Sequence, residues 1–296
     1  MEKGLLEYKS RKNKAAPYLF LMPTILIMAA LVFYPVLISF SYSLKSMRLT
    51  APDKTEFIGL KNYGEILASS DFRYALINTL LVMAVCVILC LVLGLALAQL
   101  LNTDTKLKGL LMAVAIIPWA MPPVVNGILW KFIFNSGYGF MNKLLLAVGA
   151  IDAPVEWLSQ RWSLLLCAAL VIAWRNIPFC SVIFLSSMSA IPDRLYSAAR
   201  IDGAGPFQRF FHITLPLLAP SCAMALTSVS INAMNVFDEI VIFSGFGNLG
   251  KTLLVENYLT TFTFLDFGRG SAFSYVLMLL SGILTFIYVR QLGERK

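Results

Sequence analysis

Apolar residues in this 296-residue chain fall in long unbroken runs rather than at the alternating spacing of a half-buried strand. Six runs reach the roughly 20 residues that a helix needs to cross a bilayer. They cover residues 17–44, 75–101, 110–134, 163–188, 217–243 and 271–289. Runs of this length far exceed a strand, so the pattern predicts helices throughout. The predicted fold class is all-α, a polytopic membrane protein with six transmembrane helices. The first run is too long for the apolar core of a signal peptide, and no small-residue cleavage site follows it.

Composition agrees. Residues of the AVILMFWYC set make up 58% of the chain and charged residues 14%, against about 25% charged in soluble domains. That is too little charge to cover a water-exposed surface. The five cysteines, Cys86, Cys90, Cys167, Cys180 and Cys222, lie inside apolar runs with no CxxC pair, which predicts small buried apolar groups. His212 is the only histidine, so no metal site of clustered imidazoles is expected.

Charge supplies orientation. With the N-terminus inside, 13 of the 24 Lys and Arg fall on the inner side and 9 on the outer, with Lys131 and Arg175 within runs. The net charge of +8 is then a positive-inside signal rather than a nucleic-acid patch, and both termini are expected in the cytoplasm. The outer loops are too short for a separate domain. The expected organisation is a cytoplasmic tail over 1–16, one membrane domain over 17–290 and a second tail over 291–296.

The longest inner loop, 190–216, carries helix punctuation. Asp193 after Pro192 suits a helix start. Gly203 suits the place after a helix end, and Pro206 the first residue of a second short helix. Phe207, Phe210 and Phe211 are expected on one face of that second helix. An apolar face in the cytoplasm needs a partner to cover it.

Polar residues inside spans usually face a bundle interior or a cavity. Asn126 lies in the third run. Ser228, Asn232 and Asn235 recur at helical spacing in the fifth and predict one polar face. Such neutral donors and acceptors suit sugar hydroxyls, although polar side chains also hold helices together. Arg175, Asp238 and Glu239 are read as a structural ion pair or as lying near the interface. Pro118, Pro122 and Pro123 are expected to interrupt the third span, and Pro178 the fourth.

One motif misleads. Residues 245–252 read Gly-Phe-Gly-Asn-Leu-Gly-Lys-Thr and satisfy the P-loop pattern. A P-loop joins a strand to a helix in an α/β domain. Here the residues follow an apolar span, on the side assigned as outer, so a Gly-rich turn is expected.

The inner loop resembles the coupling loop of binding-protein-dependent ABC importer permeases. That signature reads Glu-Ala-Ala, three residues, Gly, nine residues, Ile-x-Leu-Pro. This chain has Ala198-Ala199, three residues, Gly203, nine residues and Ile213-Thr-Leu215-Pro216, with Ser197 at the Glu position. The triplet Asp202-Gly203-Ala204 also fits. The stretch 57–63, Phe-Ile-Gly-Leu-Lys-Asn-Tyr, and the Trp174-Arg175-Asn176-Ile-Pro178-Phe179 segment resemble elements of the sugar branch, related to the maltose permease.

The resemblance implies a type I importer permease fold in a bacterial cytoplasmic membrane. It implies alternating access, driven by a separate ATPase dimer that grips Tyr196, Ser197, Ala198, Ala199, Asp202, Gly203, Ala204, Phe207 and Phe210. It implies a second permease subunit and an extracytoplasmic solute-binding protein as partners, besides membrane lipid. No cofactor and no ATPase site are expected in this chain, ATP and Mg being used by the partner. Aligned on the Leu-Pro-Leu-Leu before the fifth run, Ser228, Asn232 and Asn235 match pocket positions of the maltose permease. Asn135 and Gly139 match pocket positions after the third run, and Ile231 replaces an aromatic ring that packs on the sugar.

The expected cargo is a sugar, with a polyol or a glycerol phosphate-type solute as the alternative. A phosphate ester calls for several convergent Arg or Lys, and only Lys131 and Arg175 lie within runs. An ATP-independent carrier or channel is the reading from another class, and it leaves the inner loop without a role. A membrane enzyme lacks a catalytic constellation.

Overall fold

The computed structural model describes residues 16–102 and 106–290. The two tails, apart from Ala16, lie outside the described residues. Regular structure among the described residues is helical, with two isolated β-bridges. The helices long and apolar enough to cross a membrane are Tyr18–Ser43, Ser70–Leu101, Arg161–Ser189, Ala219–Ser244 and Phe267–Tyr288. The pair Lys108–Ala120 and Pro123–Ile133, bent by 95°, makes the sixth when counted as one span.

Residues up to Ile66, with Thr260–Tyr275, form one compact unit. Its chain runs through α1 (Ala16–Met28), a π turn at Ala29–Phe33 and α2 (Tyr34–Ser43), and on into α3 (Lys61–Ala68). The 57–63 element has a physical role here. Gly59 turns the chain at φ +57°. Asn62 then donates to the Ser43 and Lys45 carbonyls at 2.8 and 3.0 Å, and the Tyr63 hydroxyl meets Ser43 Oγ at 2.7 Å. The C-terminal end of α2 is thereby tied to the loop that follows it.

Leu67–Leu259, with the residues from Val276 on, form the second unit. It holds α4 (Ser70–Leu101), α5 (Lys108–Ala120), α6 (Pro123–Ile133), α7 (Phe140–Ala147) and α8 (Arg161–Ser189). α8 is its most buried span. Small residues let α4 approach it: Cys86, Cys90, Gly94 and Ala98 recur every fourth position and are all buried. A Cβ on Gly94 would stand 3.1 Å from the Cys180 Cβ and 3.2 Å from Phe184 Cε2. The Cys86 and Cys90 thiols donate to the Ala169 and Ala173 carbonyls. A stripe of small side chains is how helices associate where water gives no hydrophobic drive. All five cysteines are buried, as expected.

The prolines act unequally. The break in the third span falls at Met121–Pro122, where Met121 is extended (ψ 133°) and Pro123 opens α6. Pro118 stays inside α5 and Pro178 inside α8, and neither breaks its helix. The fifth span breaks without a proline. α12 (Ala219–Met234) ends before α13 (Asp238–Ser244), although the apolar run predicts one helix.

Candidate functional site

The loop over 190–216 folds as two helical pieces. α9 (Asp193–Ile201) follows Pro192, which takes the N-cap place, so Asp193 is the first helical residue. Its carboxylate lies in the first turn, where the helix dipole favours it. The helix closes in a Schellman motif. Gly203 N–H donates to the Arg200 carbonyl at 3.1 Å and Ala204 N–H to the Ala199 carbonyl at 2.8 Å. Gly203 has φ +78°, a conformation that disfavours any side chain. Gly205 caps α10 (Pro206–Arg209), and its N–H donates to Gln208 Oε1 at 2.9 Å. A π turn at Phe210–Thr214 and the single turn α11 (Leu215–Leu217) lead back to α12.

The Tyr196 hydroxyl meets Thr214 Oγ1 at 2.9 Å and ties α9 to the π turn. Phe210 lines the same cavity of about 330 Å³ as these two side chains. Phe207 is 80% exposed and Phe211 is exposed. The three phenylalanines are not equally bare: Phe210 is half-buried, and its ring meets that of Phe211 edge-on at 5.2 Å. Ser197, Ala198, Asp202 and Gly203 are exposed, and Ala199 and Ala204 half-buried. Ser197 Oγ accepts from Arg200 at 3.2 Å. A recess of about 400 Å³ opens among Ala199, Asp202, Gly203, Ala204 and Gln208.

Sequence reasoning missed Leu195 and Ile201. Both are exposed, Ile201 to 87%. The available sign was a large aliphatic set between Arg200 and Asp202. Together with Phe207 and Phe211 they leave bare apolar surface on a polar loop, which needs a covering partner.

The polar face of the fifth span opens outward from the chain. Asn232 and Asn235 are exposed beside Ile231, and Ser228 is half-buried. Asn232 Nδ2 donates to Asn176 Oδ1 at 3.1 Å, so α12 and α8 share an amide pair. Asn235 lies just past the end of α12, and its amide returns to the Ile231 carbonyl at 2.8 Å. Thr252 Oγ1 donates at 3.1 Å to the Val236 carbonyl in the break that follows. Asn135 and Gly139 are brought together in one turn after α6. Asn135 Oδ1 accepts from Gly137 N–H (2.9 Å) and Tyr138 N–H (3.2 Å). A Cβ on Gly139 would collide with the Ile133 and Asn135 carbonyls. Both residues thus shape the turn that follows α6.

The Gly-rich stretch is a turn between α13 and α14 (Leu253–Tyr258), with no strand before it. Lys251 Nζ is held by Glu256 at 2.8 Å and Asp71 at 3.1 Å. Burial opposes the charge of Lys251, but the Glu256 and Asp71 carboxylates outweigh it and raise its pKa above the usual lysine value. Asn78 donates to the Lys251 carbonyl at 2.7 Å and accepts from Arg161 at 2.9 Å. The lysine and threonine of the motif are thus engaged within the fold.

Residues 90–296 match the model of the binding-protein-dependent transport system inner membrane component family. The chain belongs to this family. The permease is therefore a membrane translocation component. It is 35% identical over 294 residues to the trehalose/maltose transport system permease protein MalF of Thermococcus litoralis, covering 98% of each chain. It is 34% identical to the sulfoquinovosyl glycerol transport system permease protein SmoG of Agrobacterium fabrum, over 92% of this chain and 88% of that one. It is 30% identical to the trehalose transport system permease protein SugA of Mycobacterium tuberculosis, over 93% and 88%. Among solved structures, a bacterial ABC transporter chain involved in alginate import superposes with a TM-score of 0.80, at 18% identity, covering 98% of this chain and 99% of that one. The permease has the type I importer fold.

Proposed function

We propose that the permease carries a sugar across the cytoplasmic membrane by alternating access, as the subunit that a separate ATPase dimer moves through residues 190–216. The observation that carries this reading is the loop itself. It holds a Schellman-closed helix that ends on a bare Ile201, followed by a short helix with a bare Phe207, and Tyr196 ties the first helix to the turn leading into α12. A lever needs such ties, and a bare apolar surface needs a partner. The grip falls on Tyr196, Ser197, Ala198, Ala199, Asp202, Gly203, Ala204, Phe207 and Phe210. ATP and Mg act in the ATPase, and this chain holds no cofactor. A second permease subunit completes the pathway, and an extracytoplasmic binding protein delivers the solute. Both termini lie in the cytoplasm.

For the cargo, the support is twofold. Relatives over nearly the whole chain are named for trehalose, maltose and sulfoquinovosyl glycerol. The wall formed by Ser228, Asn232 and Asn235 offers neutral donors and acceptors, and the turn of Asn135 and Gly139 completes the solute site. Labelled trehalose or maltose should enter proteoliposomes holding the full transporter and its binding protein only when ATP is supplied. Asn232→Leu removes one amide from the wall and should raise the apparent KM about tenfold. An unchanged KM and substrate profile would take Asn232 out of the site.

A further inference from the structure

Three helices meet around the cavity of about 330 Å³ that Tyr196 and Thr214 line. The C-terminal end of α4 brings Gln99 and Asn102, α9 brings Asp193 and Arg200, and α10 brings Arg209. Two guanidiniums and one carboxylate thus line the cavity, a surplus of positive charge.

That surplus is not cancelled locally. Among the described residues, Asp193 forms an ion pair with neither arginine. Arg200 Nη2 donates to Ser197 Oγ at 3.2 Å, which leaves its other nitrogens for the cavity. Arg209 Nε is buried and makes no hydrogen bond. Burying a polar atom without a partner is costly, and such an atom in a folded protein points to a water or an ion that completes it.

The lining also selects the ligand. Guanidinium forks match carboxylate and phosphate oxygens. The Gln99 and Asn102 amides add donors from the α4 side. A carboxylate has two oxygens in one plane. A phosphate ester has three strong acceptor oxygens spread about a tetrahedron, which suits donors that come from three helices. The volume of about 330 Å³ lies at the small end of ligand cavities, roughly 300–1,000 Å³.

We propose that this cavity is a binding site for a phosphate ester, held between Arg200 and Arg209 with Gln99 and Asn102 as further donors. The bound phosphate cross-links α9 and α10 to the end of α4 and so braces the loop over 190–216. The effect of that brace on transport rests on the coupling reading above, and the binding itself does not. A soluble phosphate ester and the head group of an anionic phospholipid share this chemistry.

The test uses the transporter with its ATPase bound, in phosphatidylcholine nanodiscs. Radiolabelled glucose 6-phosphate should bind saturably, and glucose should not compete. Arg200→Gln and Arg209→Gln should each weaken binding about tenfold. Arg209→Lys keeps the charge but loses the fork, and should recover part of the loss. Asp193→Asn removes the one carboxylate and should tighten binding severalfold, a gain that misfolding cannot imitate. Nanodiscs that also contain phosphatidylglycerol separate the two sources: displacement of the sugar phosphate assigns the cavity to the lipid head group, and no displacement assigns it to the soluble ester. Glucose 6-phosphate on the ATPase side should slow ATP-driven uptake severalfold in the wild type, because it favours one state of the cycle, and should leave Arg209→Gln unaffected.

Absent binding, or equal binding by the wild type, Arg209→Gln and Asp193→Asn, overturns the proposal. So does binding seen only in permease stripped of its ATPase, which would make the cavity part of the ATPase seat. Uptake that ignores the bound ester overturns the brace. If binding behaves as stated while removal of residues 198–204 leaves ATP-driven uptake intact, the anion site stands and the coupling reading falls.

Discussion

With residues 198–204 removed, ATP-driven uptake should drop to background while the permease still reaches the membrane. The deletion takes the last turn of α9 and its Schellman closure, but no residue of α8 or α12. The spans keep their apolar length, so insertion is spared. What is lost is the stiff piece carrying Ile201, and with it the geometry that Tyr196 fixes against Thr214. Gly203→Val is the milder form. A β-branched residue at φ +78° is strained by roughly 1–3 kcal/mol, and uptake should fall severalfold. Transport assays with an immunoblot of the membrane fraction read both effects. Retained ATP-dependent uptake in the deletion would remove the loop from the coupling path.

Replacing Gly94 by Leu should deplete the folded permease from the membrane. The first added carbon already stands 3.1 Å from the Cys180 Cβ and 3.2 Å from Phe184, and three further carbons have no space. Overpacking a well-filled contact costs about 1–3 kcal/mol, and here it falls on the stripe that brings α4 against the most buried span. Gly109→Leu is the control, because nothing lies within 4 Å of a Cβ there. Thermal aggregation of the detergent-solubilised transporter should separate the two variants. Equal stability would mean that the α4–α8 contact does not hold the unit together.

The spans were legible because each apolar run is long enough to leave helix as the only choice. Their breaks were legible only in part. Consecutive Pro122 and Pro123 force Met121 into an extended conformation and split the third span. Pro178 removes one helical bond from a helix that neighbours hold on several sides, and it bends nothing enough to end it. The break at Asn235–Phe237 has no local sign. Its carbonyl at Val236 is satisfied by Thr252, sixteen residues on, a partner that spacing cannot reveal.

The backbone of the loop over 190–216 was the most readable part, since Gly203 and Pro206 dictate conformations that few other residues accept. The π turn was hidden, and with it the half-burial of Phe210. Asn135 was legible as polar but not as a turn former, because its partners are backbone N–H groups that every residue there carries.

All five native cysteines are buried, so a single exposed thiol reports cleanly on the loop. Phe207→Cys, probed with a membrane-impermeant maleimide on inside-out vesicles, should label readily in the permease without its ATPase. It should be strongly protected once the ATPase is bound. Equal labelling with and without the ATPase, or access only from the outer face, would contradict coupling through residues 190–216.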